Sequence, residues 1–306
     1  MKSRLPVYSA LFYVVFCWGL NTVLIKHALT EIDPLAFMSL RFLIMTPLAL
    51  LLLRFSGEKL HLEKRDLPLL IGAGACGYGI YQYLWVLGLA HTTPFASALL
   101  GSFAPIFTLA ILAIAGHEKV RTGRWLGAAV ALVGVAIFEG VFAGHATFQI
   151  GDALTLAAAL IFAGYNVLSA KLLDRYTPLN LLAITMAIGT VMIVPSGIGA
   201  IAHTDFAAVS AGSWGAFAFA VFFPIMLTYP VWSWGISLIG AGRVSLFSFL
   251  TPVIAGLLSI PIIHARFDGH QLLGAGICLA GMLVSNLLGK TSLAALWSWR
   301  TVGVER

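Results

Sequence analysis

The 306-residue chain is 60% hydrophobic and only 10% charged, with a mean hydropathy of +0.96, whereas about 25% of a soluble domain is charged. That excludes an ordinary soluble globule and places the chain in a bilayer, with room for roughly ten membrane helices and no separate soluble domain. The excess of 18 Lys and Arg over 12 Asp and Glu lies between apolar runs and not on one basic face, so it speaks for membrane orientation and against a nucleic-acid partner.

In chain order, Lys2 and Arg4 precede an apolar run from about Val7 to Ile25 with no small-residue cleavage site, which reads as a first spanning helix and not a signal peptide. Further apolar runs predict helices near 34–54, 68–90, 94–115 and 122–142, then 151–172, 178–201, 213–238, 243–263 and 270–288. Each run is long and continuously apolar, which implies helices and not the alternating strands of a barrel. The N-terminus, the even-numbered loops and the tail carry 15 of the 18 Lys and Arg; Lys26 and Arg266 lie on the other side and Arg41 inside the second helix. Both termini are therefore expected in the cytoplasm of a cell with the protein in its inner (plasma) membrane, and the loops near His91, Gly144 and Thr204 outside. Cys17, Cys76 and Cys278 fall in apolar runs without metal-ligand or disulfide spacing and read as packing residues.

The chain resembles itself. A shift of 147 residues superposes Trp85 on Trp232, Gly88 on Gly235, Pro105 on Pro252, Gly127 on Gly274 and Gly134 on Gly281, and a shift of 145 pairs Gly19 with Gly164, Asn21 with Asn166 and Lys26 with Lys171. Two homologous five-helix halves follow, 1–142 and 151–288, with a cytoplasmic tail at 289–306. Because five is odd, the second half enters from the opposite side. The fold class is thus an all-α integral membrane protein with ten transmembrane helices in two inverted repeats, an arrangement suited to alternating access.

Trp18-Gly19-Leu20-Asn21, Ser102-Phe103-Ala104-Pro105, Phe249-Leu250-Thr251-Pro252 and the glycine-spaced fifth and tenth helices resemble the drug/metabolite transporter superfamily, in its EamA-type branch that includes amino-acid and aromatic-amino-acid exporters. The resemblance covers about residues 5–290. It implies a basket-shaped bundle whose central cavity is lined by helices one, three, four, six, eight and nine. The tail with Trp297 and Trp299 lies beyond it.

Tyr78, Tyr81, Gln82 and Trp85 stand at i, i+3, i+4 and i+7, on one helical face; Ile225, Thr228, Tyr229 and Trp232 are their repeat equivalents. These faces either pack between helices or line a substrate cavity, and their recurrence favours the cavity, since amides and phenols in hydrocarbon need partners. Asn21 and Asn166, beside Trp18 and Tyr165, either meet a ligand's amino or carboxylate group or close the two halves by an interhelical hydrogen bond. Ser102 and Ser248 are weaker substrate-binding candidates, as are Ser97 and Ser245, because a helix serine can bond its own backbone. Pro105 and Pro252 are expected hinges, one per half. Arg41 is expected to reach the outer interface beside Glu31 and Asp33, with a substrate carboxylate as the alternative.

Gly72 to Gly77 spell G-x-G-x-x-G without a preceding strand or βαβ unit, and no nucleophile elbow or histidine ligand set occurs, so no cofactor, metal or catalytic site is expected. A secondary exporter of small neutral or zwitterionic metabolites, amino acids with aromatic ones included, follows; it acts as a monomer or weak dimer on a small-molecule substrate. A proton-coupled exporter of drugs or other metabolites is the alternative, followed by a membrane-embedded lipid-modifying enzyme. All twelve acidic residues lie in loops, tails or helix ends, which argues for flux down the substrate's own gradient. A cysteine placed at Lys64 is expected to resist a membrane-impermeant maleimide in intact cells, while one at His91 reacts; the reverse pattern overturns the orientation.

Overall fold

The computed structural model describes residues 5–114, 122–138, 142, 148–239, 244, 247–248 and 250–288. The tail from Lys290, the loop around Gly144, and Glu139, Ser245 and Phe249 lie outside the described residues. Among those described, the regular structure is helical throughout. The helices are α1 (Leu5–Ala28), α2 (Pro34–Phe55), α3 (Leu67–Gly74), α4 (Ile80–Ala90), α5 (Pro94–Gly101), α6 (Ala104–Ile114) and α7 (Thr122–Phe138). They continue with α8 (Ile150–Leu172), α9 (Pro178–His203), α10 (Ala211–Val221), α11 (Thr228–Ile239), α12 (Leu250–Ile263) and α13 (Gly269–Leu288). Among the described residues six stretches are long and apolar enough to cross a membrane: Pro6–Ala28, Pro34–Phe55, Pro94–Ile114, Ile150–Leu172, Pro178–His203 and Ala211–Ile239. Trp125–Phe138, Leu250–Ile263 and Gly269–Val284 are shorter apolar helices.

Two predicted helices contain a π segment. Between α3 and α4 the chain is π-helical over Ala75–Gly79, and between α10 and α11 over Phe222–Leu227. The starts of these segments are 147 residues apart. A π turn widens the hydrogen-bond ladder and leaves carbonyls for side chains to meet. The sequence signal was the Gly-rich Ala75-Cys76-Gly77-Tyr78-Gly79 and the Pro224 in its counterpart.

Helix starts follow local chemistry. Asp33 Oδ1 accepts from the amides of Leu35 and Ala36, Thr93 Oγ1 from Ala96, and Thr177 Oγ1 from Asn180. A proline comes next in each case, Pro34, Pro94 and Pro178, where its missing N–H costs nothing.

The chain forms two compact units, and each draws on both halves of the sequence. The larger takes residues 1–104 and 148–266. Within it α2 lies along α9, α4 and α5 pack on α8, and α11 and α12 pack on α1. Thr46 and Thr190 hydroxyls meet at 2.6 Å between α2 and α9. Val7, Leu11, Val14 and Val15 of α1 close over Trp232, Ile236 and Ile239 of α11. Large side chains such as Phe12, Leu51, Val191 and Leu257 point outward, as a lipid-facing surface requires.

Loops tie the helix ends together. Ser210, the N-cap of α10, donates its amide and hydroxyl to Glu31 at 2.7 and 2.9 Å, which holds the Glu31 carboxyl below its ordinary value. At the start of α3, buried Asp66 pairs with Arg175 at 2.7 Å, and the Glu63 amide donates to Tyr176 Oη. Lys26 Nζ donates to the Leu89 and Ala90 carbonyls at the end of α4, placing its charge at the negative helix terminus.

The smaller unit, residues 105–147 and 267–306, is built on α7 and α13. Their contact is made by the repeat-related glycines: the Cβ position of Gly281 lies 2.8 Å from the Gly127 carbonyl, and that of Gly274 lies 2.7 Å from the Gly134 carbonyl. Only small residues let two helix backbones approach so closely. Gly274→Val and Gly281→Val are each expected to lower unfolding stability by about 1–3 kcal/mol, measured by thermal denaturation in detergent; Gly276→Val, which meets nothing within 4 Å, serves as the control.

Candidate functional site

Trp18 and Asn21 come from α1, Tyr78 from the first π segment, Tyr81, Gln82 and Trp85 from α4, Tyr165 and Asn166 from α8, and Thr228, Tyr229 and Trp232 from α11. The structure gathers the aromatic members into one continuous cluster. Trp18 stands 4.7 Å from Trp232 and 5.9 Å from Tyr229, ring centre to ring centre. Tyr229 continues to Tyr78 at 5.1 Å and Tyr165 at 5.8 Å. Tyr81 reaches Trp85 at 6.5 Å and Phe162 at 4.8 Å. Phe162 also touches Trp18, Tyr165 and Tyr229, with centroids within 6.3 Å. Most of these pairs are tilted or edge-to-face, the geometry that aromatic quadrupoles favour. Tyr78, Tyr165, Tyr229 and Trp232 are buried, and Trp18, Tyr81 and Trp85 are half-buried.

The cluster is anchored on the π segments. Trp18 Nε1 donates to the Pro224 carbonyl at 3.0 Å and to Thr228 Oγ1 at 2.8 Å, while Thr228 Oγ1 itself donates to Pro224 at 2.6 Å. In the other half the Tyr165 ring fills the space where Gly77 lacks a side chain. Pro224 follows Gly77 by 147 residues, and Tyr165 lies on α8, two residues past the position that the 145-residue shift matches to Trp18. Each half thus sends an aromatic ring from its first helix into the π segment of the other half's third helix. Gly74 likewise lies against Thr185 and Ile188 of α9, so the G-x-G-x-x-G run serves close packing.

The helices that carry the rings also carry buried polar groups. Among the described residues, Asn21 Oδ1, Asn166 Oδ1 and Trp232 Nε1 are buried without a hydrogen-bond partner, so no described contact of the two asparagine oxygens ties the halves together. Gln82 Oε1 accepts from Arg41 Nη2 at 2.6 Å. Arg41 is fully buried, with its guanidinium carbon 5.7 and 5.6 Å from the Phe37 and Phe42 ring centres. This corrects the expectation that Arg41 reaches an interface beside Glu31 and Asp33: it turns inward onto α4.

The weaker candidates sit differently. Ser102 Oγ donates to Ala98 and Ser248 carbonyls at 2.9 and 3.3 Å, so these two serines meet each other through the backbone and not through a ring of the cluster. Pro105 and Pro252 fall in the first turns of α6 and α12, where proline is tolerated. The helix break lies before Pro105, between Gly101 and Ala104. Phe162 was missing from the expected site; its signal was its position one turn before Tyr165 and Asn166.

The profile of the EamA-like transporter family matches residues 5–139 and again residues 149–287. The chain belongs to the EamA-like transporter family. As a family member it is a membrane transporter and not an enzyme. It is 27% identical to an uncharacterised transporter of Bacillus subtilis, over 93% of this chain and 94% of that protein. It is 26% identical to a probable amino-acid metabolite efflux pump of Salmonella typhimurium, over 92% of this chain and 95% of the relative. A probable terminal-alkyne amino-acid exporter of Streptantibioticus cattleyicolor is 27% identical over 72% of this chain and 74% of its own length. One crystal structure, 18% identical, shares the fold with a TM-score of 0.67 over 94% of this chain and 98% of its own.

Trp18→Phe keeps a ring against Trp232 but deletes the indole donor. It is expected to cost about 1 kcal/mol of unfolding stability, read by thermal denaturation. Gly77→Leu, which drives the Tyr165 ring out of the cluster, is expected to be the more damaging of the two.

Proposed function

We propose that the chain exports small neutral or zwitterionic metabolites, amino acids with aromatic ones included, by alternating access between two inverted five-helix halves, 1–142 and 151–288. The single observation that carries this reading is the aromatic cluster to which residues of both halves contribute. The names of the relatives, amino-acid efflux pumps and an amino-acid exporter among them, support the substrate class. The two-fold pattern of contacts supports the repeat: α4 and α5 pack on α8 as α11 and α12 pack on α1, α2 pairs with α9, and α7 with α13. Ten crossings, cytoplasmic termini and residence in the inner membrane complete the proposal.

In this reading Trp18, Asn21, Tyr78, Tyr81, Gln82, Trp85, Tyr165, Asn166, Thr228, Tyr229 and Trp232 hold the substrate. Ser102 and Ser248 line the approach, and Pro105 and Pro252, in the first turns of α6 and α12, act as the hinges that absorb the rearrangement. The rings pack on one another, which suits an arrangement closed around the site. Opening one face separates α1 from α11, or α8 from α4, and frees ring faces for a planar side chain.

Purified full-length protein in liposomes tests it by exchange of radiolabelled phenylalanine or leucine against unlabelled amino acid. Flux is expected with the substrate gradient alone and with little response to an imposed pH gradient. Tyr229→Ala is expected to lower it about tenfold, the effect of losing one strong aromatic contact. Absence of amino-acid exchange, strong acceleration by a proton gradient, or full activity in the Tyr229 variant overturns the proposal.

A further inference from the structure

Among the described residues Arg41 is a cation without an anion. It lies about two turns into α2, fully buried, with Ser39 and Phe42 buried beside it. Among the described residues its guanidinium donates to a neutral amide oxygen, Gln82 Oε1, and its Nε has no partner. Among the described residues no Asp or Glu pairs with it, although Asp66 and Glu63, elsewhere in the same unit, each have an arginine. A charged arginine in a hydrocarbon environment costs several kcal/mol unless it is compensated. A packing or hydrogen-bonding role for α2 needs no charge, since a neutral residue of similar volume would fill the same space.

The position of the charge suggests what compensates it. Gln82 is one turn from Tyr78 and Trp85 on the same face of the third predicted helix, and Tyr81 and Tyr229 lie within electrostatic reach of the guanidinium. Arg41 therefore borders the aromatic cluster from α2, a helix that sequence reasoning did not count among its walls. A guanidinium presents a planar fork of donors that fits a carboxylate with two parallel hydrogen bonds. Gln82 occupies one arm of that fork with an amide oxygen, a weaker acceptor that a carboxylate can displace.

We infer that Arg41 receives the substrate's carboxylate, with Gln82 holding the guanidinium in place until the substrate arrives, and that the transported class is therefore carboxylate-bearing. The assignment rests on the proposed amino-acid export and deepens it. The α-carboxylate meets Arg41, the ammonium faces the orphaned Asn21 and Asn166 oxygens and the ring faces, and the side chain enters among the aromatics. A positive site of this kind rejects amines and amides of otherwise identical shape, because they leave the buried charge uncompensated.

Trp18 and Trp232 in the cluster make intrinsic fluorescence a binding readout for the purified full-length protein. The probes are phenylalanine, phenylalaninamide and 3-phenylpropionate. Phenylalanine is expected to bind about ten- to a hundredfold more tightly than its amide, the range for a hydrogen bond to a charged group. Gln82→Glu gives Arg41 an internal carboxylate. This near-isosteric variant is expected to fold, to melt no lower than the parent and to lose the preference for phenylalanine over its amide. Arg41→Lys, which keeps the charge but not the fork, is expected to retain part of it. Equal binding of phenylalanine and its amide, or an undiminished preference in the Gln82→Glu protein, overturns the role of Arg41 and leaves amino-acid export standing. Binding of 3-phenylpropionate without phenylalanine supports Arg41 and overturns the amino-acid reading. Binding of neither carboxylate overturns the Arg41 assignment.

Discussion

Inside a bilayer no water is available to a peptide group, so every carbonyl and amide must be met by the protein itself. Helices meet this demand by themselves, and places where the ladder opens are allowed only against a partner. The two π segments are such places. Trp18 fills one with an indole donor to the Pro224 carbonyl, and Tyr165 seats its ring on the other where Gly77 leaves room. The aromatic cluster depends on these two insertions, because they fix α1 against α11 and α8 against the first π segment and so bring rings from both halves together.

That arrangement also suits movement. A π segment is a helix that has already given up its regular register, and both interruptions here adjoin the cluster. The small residues around them, Gly74 against α9 and Gly77 against α8, keep the backbones near one another. A rocking motion of one half can be taken up there at less cost than in an unbroken helix. The loop ties at Glu31–Ser210 and Asp66–Arg175 join equivalent helix ends, the first after α1 and the second after α8. The Glu31–Ser210 tie is exposed to water and weak enough to exchange.

Arg41 shows where chemistry and packing part. A hydrophobic residue would serve the α2–α9 contact better than an arginine, since interhelical packing in lipid relies on close van der Waals fit. Retaining a buried cation against a neutral amide makes sense only if something else supplies the negative charge. The sequence places no carboxylate at a helix centre, and among the described residues the buried Asp66 and Asp152 lie at helix starts, so the charge that borders the aromatic cluster is that of Arg41.

The sequence by itself determined the membrane class, the all-helical fold, the two copies of the family domain and most of the aromatic residues that come together. It could do so because these features are written in composition and in spacing: long apolar runs are forced into helices by lipid, and residues at i, i+3, i+4 and i+7 share a face whatever surrounds them. The glycines at 274 and 281 were legible for the same reason, through their match with Gly127 and Gly134. Only the tertiary structure decided which side chain meets which. Hydropathy along one chain does not record that α3 and α4 are joined by a π turn, since that depends on the ring of Tyr165 arriving from 88 residues away. Nor does it record that Phe162 completes the cluster, because a phenylalanine on an apolar helix looks the same facing lipid or core. Arg41 was misread for a related reason: a long side chain near a helix start can turn outward or inward, and the choice is made by Gln82, a residue on another helix.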